Sequence, residues 1–168
     1  MTQQQKIASK KKFVLMFNAV LAMENAACKR LEKRINEVSL PEAKQQLQHH
    51  LEETKEQQKR LQDLITKYNG KPTTEELGLP LPSYPESIKT EMESSMTEGE
   101  KELKKAEEDL LIEKTEATCY NMLIEKSRIL GQETDAVPIL EQNLREEQSM
   151  IDWIESNCPT MIQQLLNK

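Results

Sequence analysis

The chain has 168 residues, of which 36% are hydrophobic and 31% are charged, and it contains only four Gly and two Phe. This length fits one domain, and the composition favours a helical bundle over a sheet protein. The formal net charge of -6 argues against a nucleic-acid partner, because phosphate binding depends on clustered Lys and Arg.

The first part of the chain combines a basic segment with a long amphipathic helix. We predict a disordered basic tail over residues 1–10 and a helical bundle domain over residues 11–168, whose first helix runs from Lys11 to Val38. A secretory signal near residue 6 is the alternative interpretation, but the apolar stripe continues past Glu24, as it does in a bundle helix. No apolar run is long enough to span a membrane, so we expect no membrane partner.

A turn before Pro41 separates the first helix from the second, which we expect to end near Tyr68. Ser39 and Glu42 have the spacing of a capping box, and the Asn-Gly pair that follows the second helix is a typical helix stop. The next segment contains four prolines and cannot form a regular helix. A connection of this length predicts a crossover that runs along the bundle.

The remaining chain predicts a short helix, a long helix and a final helix. Residues 86–130 have a helical pattern, but a single helix would overshoot its neighbours, so we expect a break near Ser94-Ser95 or Gly99. Gly131 ends the long helix, and the last helix is expected to be interrupted at residues 157–159, Asn-Cys-Pro, before a short terminal helix. The predicted fold class is all-α, an antiparallel four-helix bundle with a long Pro-rich crossover and an extra short helix.

Each long helix has a glutamate where its core-facing stripe needs an apolar side chain. These glutamates are Glu24, Glu53, Glu116 and Glu147. In each hairpin they lie about 22 Å and about 18 Å from the connecting turn, so two packed hairpins would place four carboxylates in one layer. Glu113 lies one turn before the third-helix glutamate, and His50 shares a face with the second-helix glutamate because it lies three residues before it.

Four ionised carboxylates in a core would be destabilising, because burial removes their hydration and like charges repel. Protonation, paired cations or a bound divalent ion would offset this cost. Oxygen ligands together with an imidazole suit iron or manganese, and zinc is a further alternative. For each glutamate taken alone the alternative is a solvated helix face, and for His50 it is a hydrogen-bonded structural histidine.

Several short motifs resemble the YciE/YciF-like group of ferritin-like proteins. HLEETxxQ, which starts at His50, is similar to the second-helix signature of that family, and AMENAACKRL, around Glu24, is similar to its first helix. MESSMTEGEKEL, which contains Glu98, resembles its short helix, while EKTEATCY and LREEQ resemble its third and fourth helices. The resemblance covers about residues 13–154. It implies a ferritin-like antiparallel four-helix bundle with a di-metal carboxylate centre in which iron is the expected metal.

The chain departs from the family pattern at two positions. The family usually has a histidine beside the third-helix glutamate, where this chain has Lys114, and an aspartate one turn after the fourth-helix glutamate, where this chain has Ile151. The implied metal site therefore has fewer ligands than is usual in the family.

The combined prediction is a cytoplasmic ferritin-like protein that binds iron, or alternatively Mn or Zn, and acts on oxygen or peroxide in a stress response. The expected ligands are Glu24, Glu53, Glu116 and Glu147, with His50, Glu113 and Glu98 as further candidates. Gln57 is expected to hydrogen-bond a ligating carboxylate. Three widely spaced cysteines suit reduced thiols in the cytoplasm, and the acidic, Gln-rich surface would tolerate a homodimer.

Two other classes of function are alternatives to this prediction. The rival is a metal-free helical bundle that serves as an interaction or structural stress protein. No GxSxG motif or Gly-rich phosphate loop supports a hydrolase or a nucleotide-binding enzyme. The sequence leaves open whether the protein is an enzyme.

Overall fold

The computed structural model describes residues 3–131 and 133–166 of the chain. Its helices are α1 (Gln3–Glu37), α2 (Pro41–Lys67), α3 (Glu86–Ser95), α4 (Glu98–Leu130) and α5 (Val137–Leu166), and a single 3-10 turn, Thr134–Ala136, precedes α5. None of the described residues forms a strand, which confirms the all-α prediction. None of the described helices is both long and apolar enough to cross a membrane.

The four long helices form two antiparallel hairpins, α1 with α2 and α4 with α5. The hairpins meet where α1 packs on α4 and α2 packs on α5. Because α2 and α4 run in the same direction, the chain between them must return along the length of the bundle, as the long proline-rich connection predicted.

The crossover lies along α1 and is held there by two asparagines. The Asn18 side chain donates to the Lys71 carbonyl at 3.1 Å and accepts from the Thr73 amide at 2.7 Å. About two helical turns further along α1, Asn25 donates to the Glu75 carbonyl at 2.9 Å. These side chains supply hydrogen-bond partners to backbone groups of the crossover, which forms no helix or strand.

The helix ends follow local chain chemistry, with one correction to the prediction. α2 starts after Leu40 with no side-chain cap, so the predicted capping box of Ser39 and Glu42 is wrong there. A capping box does form at the start of α4, where Thr97 and Glu100 each bond the other's backbone amide. Gly131 ends α4 in the left-handed conformation at φ 59°, as its position predicted.

Two differences concern the ends of the chain. α1 begins at Gln3, so residues 3–10, predicted as a disordered tail, are helical in the structure, while residues 1–2 lie outside the described part of the chain. α5 continues through Pro159, where an interruption was expected. Met161 and Leu165 are buried beyond this proline, and their packing offsets the backbone hydrogen bond that proline cannot make.

The start of α4 packs against the end of α5 so closely that only glycine fits. A Cβ added to Gly99 would lie 2.1 Å from the carbonyl oxygen of Leu165. The substituted residue would therefore have to push two helix backbones apart.

The core is divided into two apolar clusters, one at each end of the bundle. The first surrounds Phe13, Phe17 and Tyr120 and the turn between α4 and α5. The second surrounds Leu31, Met150 and the last turns of α5. A layer of buried polar side chains separates the two clusters.

Candidate metal centre

Five ionisable side chains from all four long helices meet between the two apolar clusters, and we call them the carboxylate layer. Its members are Glu24 of α1, His50 of α2, Glu113 and Glu116 of α4, and Glu147 of α5. Each is at most 2% exposed. These five side chains interrupt the apolar stripes of the four helices and form a polar level within the core.

His50 lies at the centre of the layer between two helices of the opposite hairpin. Its Nε2 is 2.9 Å from Glu113 Oε2 and 3.6 Å from Glu147 Oε2. Its Nδ1 is 3.2 Å from Oε2 of Glu53, which lies on the solvent side. His50, Glu113 and Glu147 each offer one ligand atom within 4.8 Å of the others, so these three buried residues could hold a metal ion.

Three carboxylate oxygens of the layer have no hydrogen-bond partner in the described structure. They are both oxygens of Glu147 and Oε2 of Glu24. Leaving a buried acceptor unpaired costs about 1–3 kcal/mol, and a charged one costs more. These oxygens are therefore the part of the layer that a bound cation would satisfy.

The other oxygen of Glu24, Oε1, lies at the inner end of a chain of hydrogen bonds that reaches the surface. The Tyr120 hydroxyl donates to Glu24 Oε1 at 2.5 Å and accepts from Asn143 Nδ2 at 3.0 Å. The Asn143 side-chain oxygen accepts from Arg60 at 2.7 Å, and Arg60 forms a bidentate pair with Glu146. This chain fixes the Glu24 carboxyl group so that only Oε2 is left facing the layer without a partner.

A buried ion pair lies on the α1 and α4 side of the layer. Arg34 Nε donates to Asp109 at 2.9 Å, and Arg30 also pairs with Asp109. The second terminal nitrogen of Arg30 is 3.6 Å from Glu113 Oε1. One guanidinium therefore faces the layer, which still leaves more negative than positive groups in it.

Burial and mutual repulsion raise the pKa of most carboxyl groups in the layer. Burial raises the pKa of Glu24 to about 8, against the opposing effect of the Tyr120 hydrogen bond. Burial and the neighbouring carboxylates also hold the pKa of Glu116 and of Glu147 well above the usual range. These groups are thus poorly stabilised as anions by the protein alone.

His50 and Glu113 form a strong internal pair. Burial opposes a charged imidazole, but Glu113 outweighs it and raises the pKa of His50 to about 10. Burial likewise opposes the Glu113 carboxylate, and His50 more than compensates, so the pKa of Glu113 is lowered. In the protein without metal, a protonated His50 therefore neutralises one of the four buried carboxylates.

The predicted site residues divide into buried and exposed groups. The structure places five of them in the carboxylate layer, and it places Glu53 half-buried at the rim, where its side chain is 19% exposed. Glu98 lies at the start of α4, where its side chain is 90% exposed and pairs with Lys101. It is therefore not part of the buried group. Gln57 is buried, but its amide lies 3.5 Å from the Asn143 carbonyl and does not bond a carboxylate, contrary to expectation.

The two positions that depart from the family pattern do not supply ligands. Lys114 points outward and pairs with Glu155, and both side chains are about half exposed. Ile151 is buried. The layer therefore contains no substitute for the histidine and aspartate that the resemblance implies.

Sequence reasoning missed the polar groups that support the layer. Asn143 lies one turn before Glu147 on the same buried stripe, and Asp109 lies one turn before Glu113, so the rule that identified the glutamates also applies to them. Tyr120 lies on the apolar stripe of α4, and its contacts with Glu24 and Asn143 show that its hydroxyl is used.

Comparison with known proteins places this fold among solved structures and within one family. A protein from Xanthomonas campestris pv. campestris has a TM-score of 0.74 at 22% identity, and the match covers 95% of this chain and 97% of that chain. YcfI from Rhodopseudomonas palustris has a TM-score of 0.66 at 23% identity, covering 87% of this chain and 92% of that chain. At these identities the likeness shows the shared fold alone. Residues 9–167 match the domain of unknown function DUF892, and the chain therefore belongs to the DUF892 family.

Proposed function

We propose that the carboxylate layer binds a pair of metal ions bridged by carboxylates, with iron as the leading metal and manganese or zinc as alternatives. The observation that carries this proposal is Glu147, which is fully buried and has no basic or amide donor on either oxygen, only the neighbouring carboxyl group of Glu113. Its nearest ring nitrogen is His50 Nε2, at 3.6 Å. An imidazole with several carboxylates is a ligand set typical of these metals.

The surroundings of His50 favour the protonation state that a metal ligand needs. A ligating imidazole must be neutral and must offer a lone pair. Glu53 Oε2 can accept the proton on Nδ1, which directs Nε2 towards the layer. Metal binding would then displace the proton that His50 shares with Glu113 in the metal-free protein.

The two apolar clusters and the chain from Tyr120 define what the protein contributes around the metal. The clusters exclude water on both sides of the layer, which strengthens electrostatic interactions inside it. Tyr120 holds Glu24 by one oxygen and supplies a hydroxyl proton at Oε1. A ferrous pair held there would supply electrons for reactions with oxygen or peroxide, the stress-related activity that the YciE/YciF-like resemblance implies.

The alternative is a metal-free bundle with a structural or interaction role under stress. It is favoured by the internal pairing of His50 with Glu113 and of Tyr120 with Glu24, since each pair removes part of the need for a cation. It requires Glu147 to stay protonated beside Glu113, because no basic or amide side chain donates to either oxygen of Glu147. Metal binding is therefore the better account of the layer.

Metal analysis separates the two functions. Protein purified without chelators should contain iron, manganese or zinc at one to two ions per chain, and Glu147→Gln and Glu113→Gln should each lose most of it. Glu107→Gln, on the exposed side of α4, is the matched control and should retain the metal. Wild-type protein that stays empty when titrated anaerobically with Fe²⁺, and also with Mn²⁺ and Zn²⁺, would establish the metal-free alternative.

Two further parts of the proposal concern the environment and assembly of the protein. Cys28, Cys119 and Cys158 are free thiols, which suits a reducing, cytoplasmic location. We also propose a homodimer, on the basis of the acidic surface and the apolar side chains Ile129 and Leu130, which are exposed at the end of α4. Light scattering coupled to size exclusion would measure the mass directly.

A further inference from the structure

A line of three side chains on α2 connects the carboxylate layer to the protein surface. His49 has a side chain that is 64% exposed, Glu53 is 19% exposed and His50 is 2% exposed. Glu53 lies between the two imidazoles and gives one oxygen to each. His49 Nε2 is 3.2 Å from Oε1, and His50 Nδ1 is 3.2 Å from Oε2.

The distance between His49 Nε2 and Glu53 Oε1 is that expected between two ligands of one metal ion. Metal–nitrogen and metal–oxygen bonds are about 2.0–2.2 Å, so two neighbouring ligands of one ion lie ~3.0–3.4 Å apart at right-angled or tetrahedral geometry. The 3.2 Å between His49 Nε2 and Glu53 Oε1 falls in this range. As an exposed ion pair alone, the same contact would contribute little to stability.

The inner end of the line is the part of the layer that lacks partners. Beyond His50 lies Glu147, which is fully buried and has both oxygens unpaired. An ion at the surface pair therefore has a stronger binding position on the far side of the His50 ring, at Nε2. Glu53, partly exposed and attached through a flexible side chain, contacts both imidazoles and is the group that can move between them.

We propose that His49 and Glu53 form an uptake pair, which captures a divalent cation at the surface and passes it to the carboxylate layer. The ion first binds His49 Nε2 and Glu53 Oε1. The Glu53 side chain then rotates and the ion passes the edge of the His50 ring to Nε2, where Glu113 and Glu147 lie. Glu53 becomes a transfer ligand in this scheme, and it returns to accept the His50 Nδ1 proton once the ion is bound.

This inference depends on the proposed metal-binding function, and the test separates the rate of uptake from the final occupancy. Metal-free protein is mixed with Co²⁺ in a stopped-flow instrument, and the visible absorbance of the bound ion reports its arrival. Equilibrium dialysis with metal analysis gives the ions bound per chain. The variants are His49→Ala and Glu53→Gln, and the matched exposed controls on the same helix are Gln48→Ala and Glu56→Gln.

We expect His49→Ala and the two controls to bind as much Co²⁺ as the wild type at equilibrium, and Glu53→Gln, whose amide oxygen can still accept the His50 Nδ1 proton, to be compared by its uptake rate at the Co²⁺ concentration that fills its site. Uptake by the His49 and Glu53 variants should be slower by about tenfold, the lower end of what local charge adds to association rates. Uptake by the two controls should match the wild type. Far-UV circular dichroism should show the same helix content in each protein.

Three results would overturn the inference, and each is distinct. Unchanged uptake rates in His49→Ala and Glu53→Gln, with full occupancy, would reject the uptake pair and leave the metal centre intact. A loss of equilibrium occupancy in Glu53→Gln would make Glu53 a resident ligand. Absence of bound Co²⁺ in the wild type, together with the negative titrations described above, would reject the metal centre itself.

Discussion

Replacing Glu147 by methionine should stabilise the metal-free protein and abolish its response to metal. Methionine is similar in length to glutamate and unbranched, so it can occupy the same space without a carboxylate. The side chain it replaces is fully buried, and neither of its oxygens is bonded to a donor. The substitution removes a desolvated polar group, and Glu113, which loses its contact with Glu147, keeps its hydrogen bond with His50.

The size of the effect follows from this burial. An unsatisfied buried polar group costs about 1–3 kcal/mol, and replacing buried charges by apolar side chains stabilises by about 1–4 kcal/mol. We therefore expect Glu147→Met to gain about 2 kcal/mol in the presence of EDTA. For a domain of this size that gain raises Tm by about 4–8 °C.

Metal should reverse the order of the two proteins. A ligand that binds only the folded state adds about 2.7 kcal/mol at a concentration 100 times its Kd, so the Tm of the wild type should rise by about 5–11 °C with Fe²⁺ under anaerobic conditions. The Tm of Glu147→Met should change little when Fe²⁺ is added. A Glu107→Met control should show the same rise in Tm with Fe²⁺ as the wild type. A lower Tm of Glu147→Met in EDTA, or a metal response equal to that of the wild type, would refute the assignment of Glu147 as a ligand.

Three other measurements test the electrostatics and packing around the layer. The pKa of Glu24 is raised from 4.5 to about 8 in the folded state, so its contribution to stability is complete below pH 4.5 and is lost as pH rises towards 8. Tm in EDTA should therefore fall over this window, and a Tm that rises there would contradict the raised pKa. Tyr120→Phe leaves Glu24 without its donor and Asn143 without its acceptor, so Tm in EDTA should fall by about 4–8 °C, corresponding to about 2 kcal/mol. An unchanged Tm would mean that water replaces the hydroxyl. Gly99→Ala forces a Cβ against the backbone carbonyl of the last α5 turn and should cost about 1–3 kcal/mol in urea unfolding, whereas Gly78→Ala, with open space around it, should cost less than about 0.5 kcal/mol. Equal effects of the two alanines would show that the helix ends move apart freely.

Local chain chemistry was sufficient to predict most of the fold. Periodicity identified the four long helices, and the left-handed stop at Gly131 follows from glycine at that position. The predicted interruption at Pro159 failed because it considered only the missing backbone donor. The packing of Met161 against the second apolar cluster outweighs that loss, and packing between distant segments is not visible in a local pattern.

The asparagines that hold the crossover illustrate the same limit. Asn18 interrupts an apolar run in the sequence, which marks it as unusual without naming its partner. Its partners, Lys71 and Thr73, lie more than 50 residues away in a segment that forms no regular structure. A side chain that satisfies backbone of this kind becomes recognisable only when the path of the crossover is known.

The candidate site divides in a similar way between what the chain fixes and what packing fixes. Height along a helix is set by the 1.5 Å rise per residue, and counting from the turns predicts one level for Glu24, Glu53, Glu116 and Glu147, of which all but Glu53 are buried. Position around the helix is set by the neighbours. On α2 the buried face contains His50, Thr54 and Gln57. Glu53 follows His50 by three residues and is therefore rotated about 60° from it around the helix axis, towards solvent.

That rotation is the physical reason why Glu53 differs from the other three helix glutamates. If Glu53 and His50 exchanged places, the layer would contain five carboxylates and no imidazole, and the imidazole would lie at the rim. In the observed order the imidazole is buried where it can neutralise Glu113 in the absence of metal and bind metal when it is present. The carboxylate at the rim is left free to contact both His49 and His50, which is the arrangement that an ion moving from solvent into the layer requires.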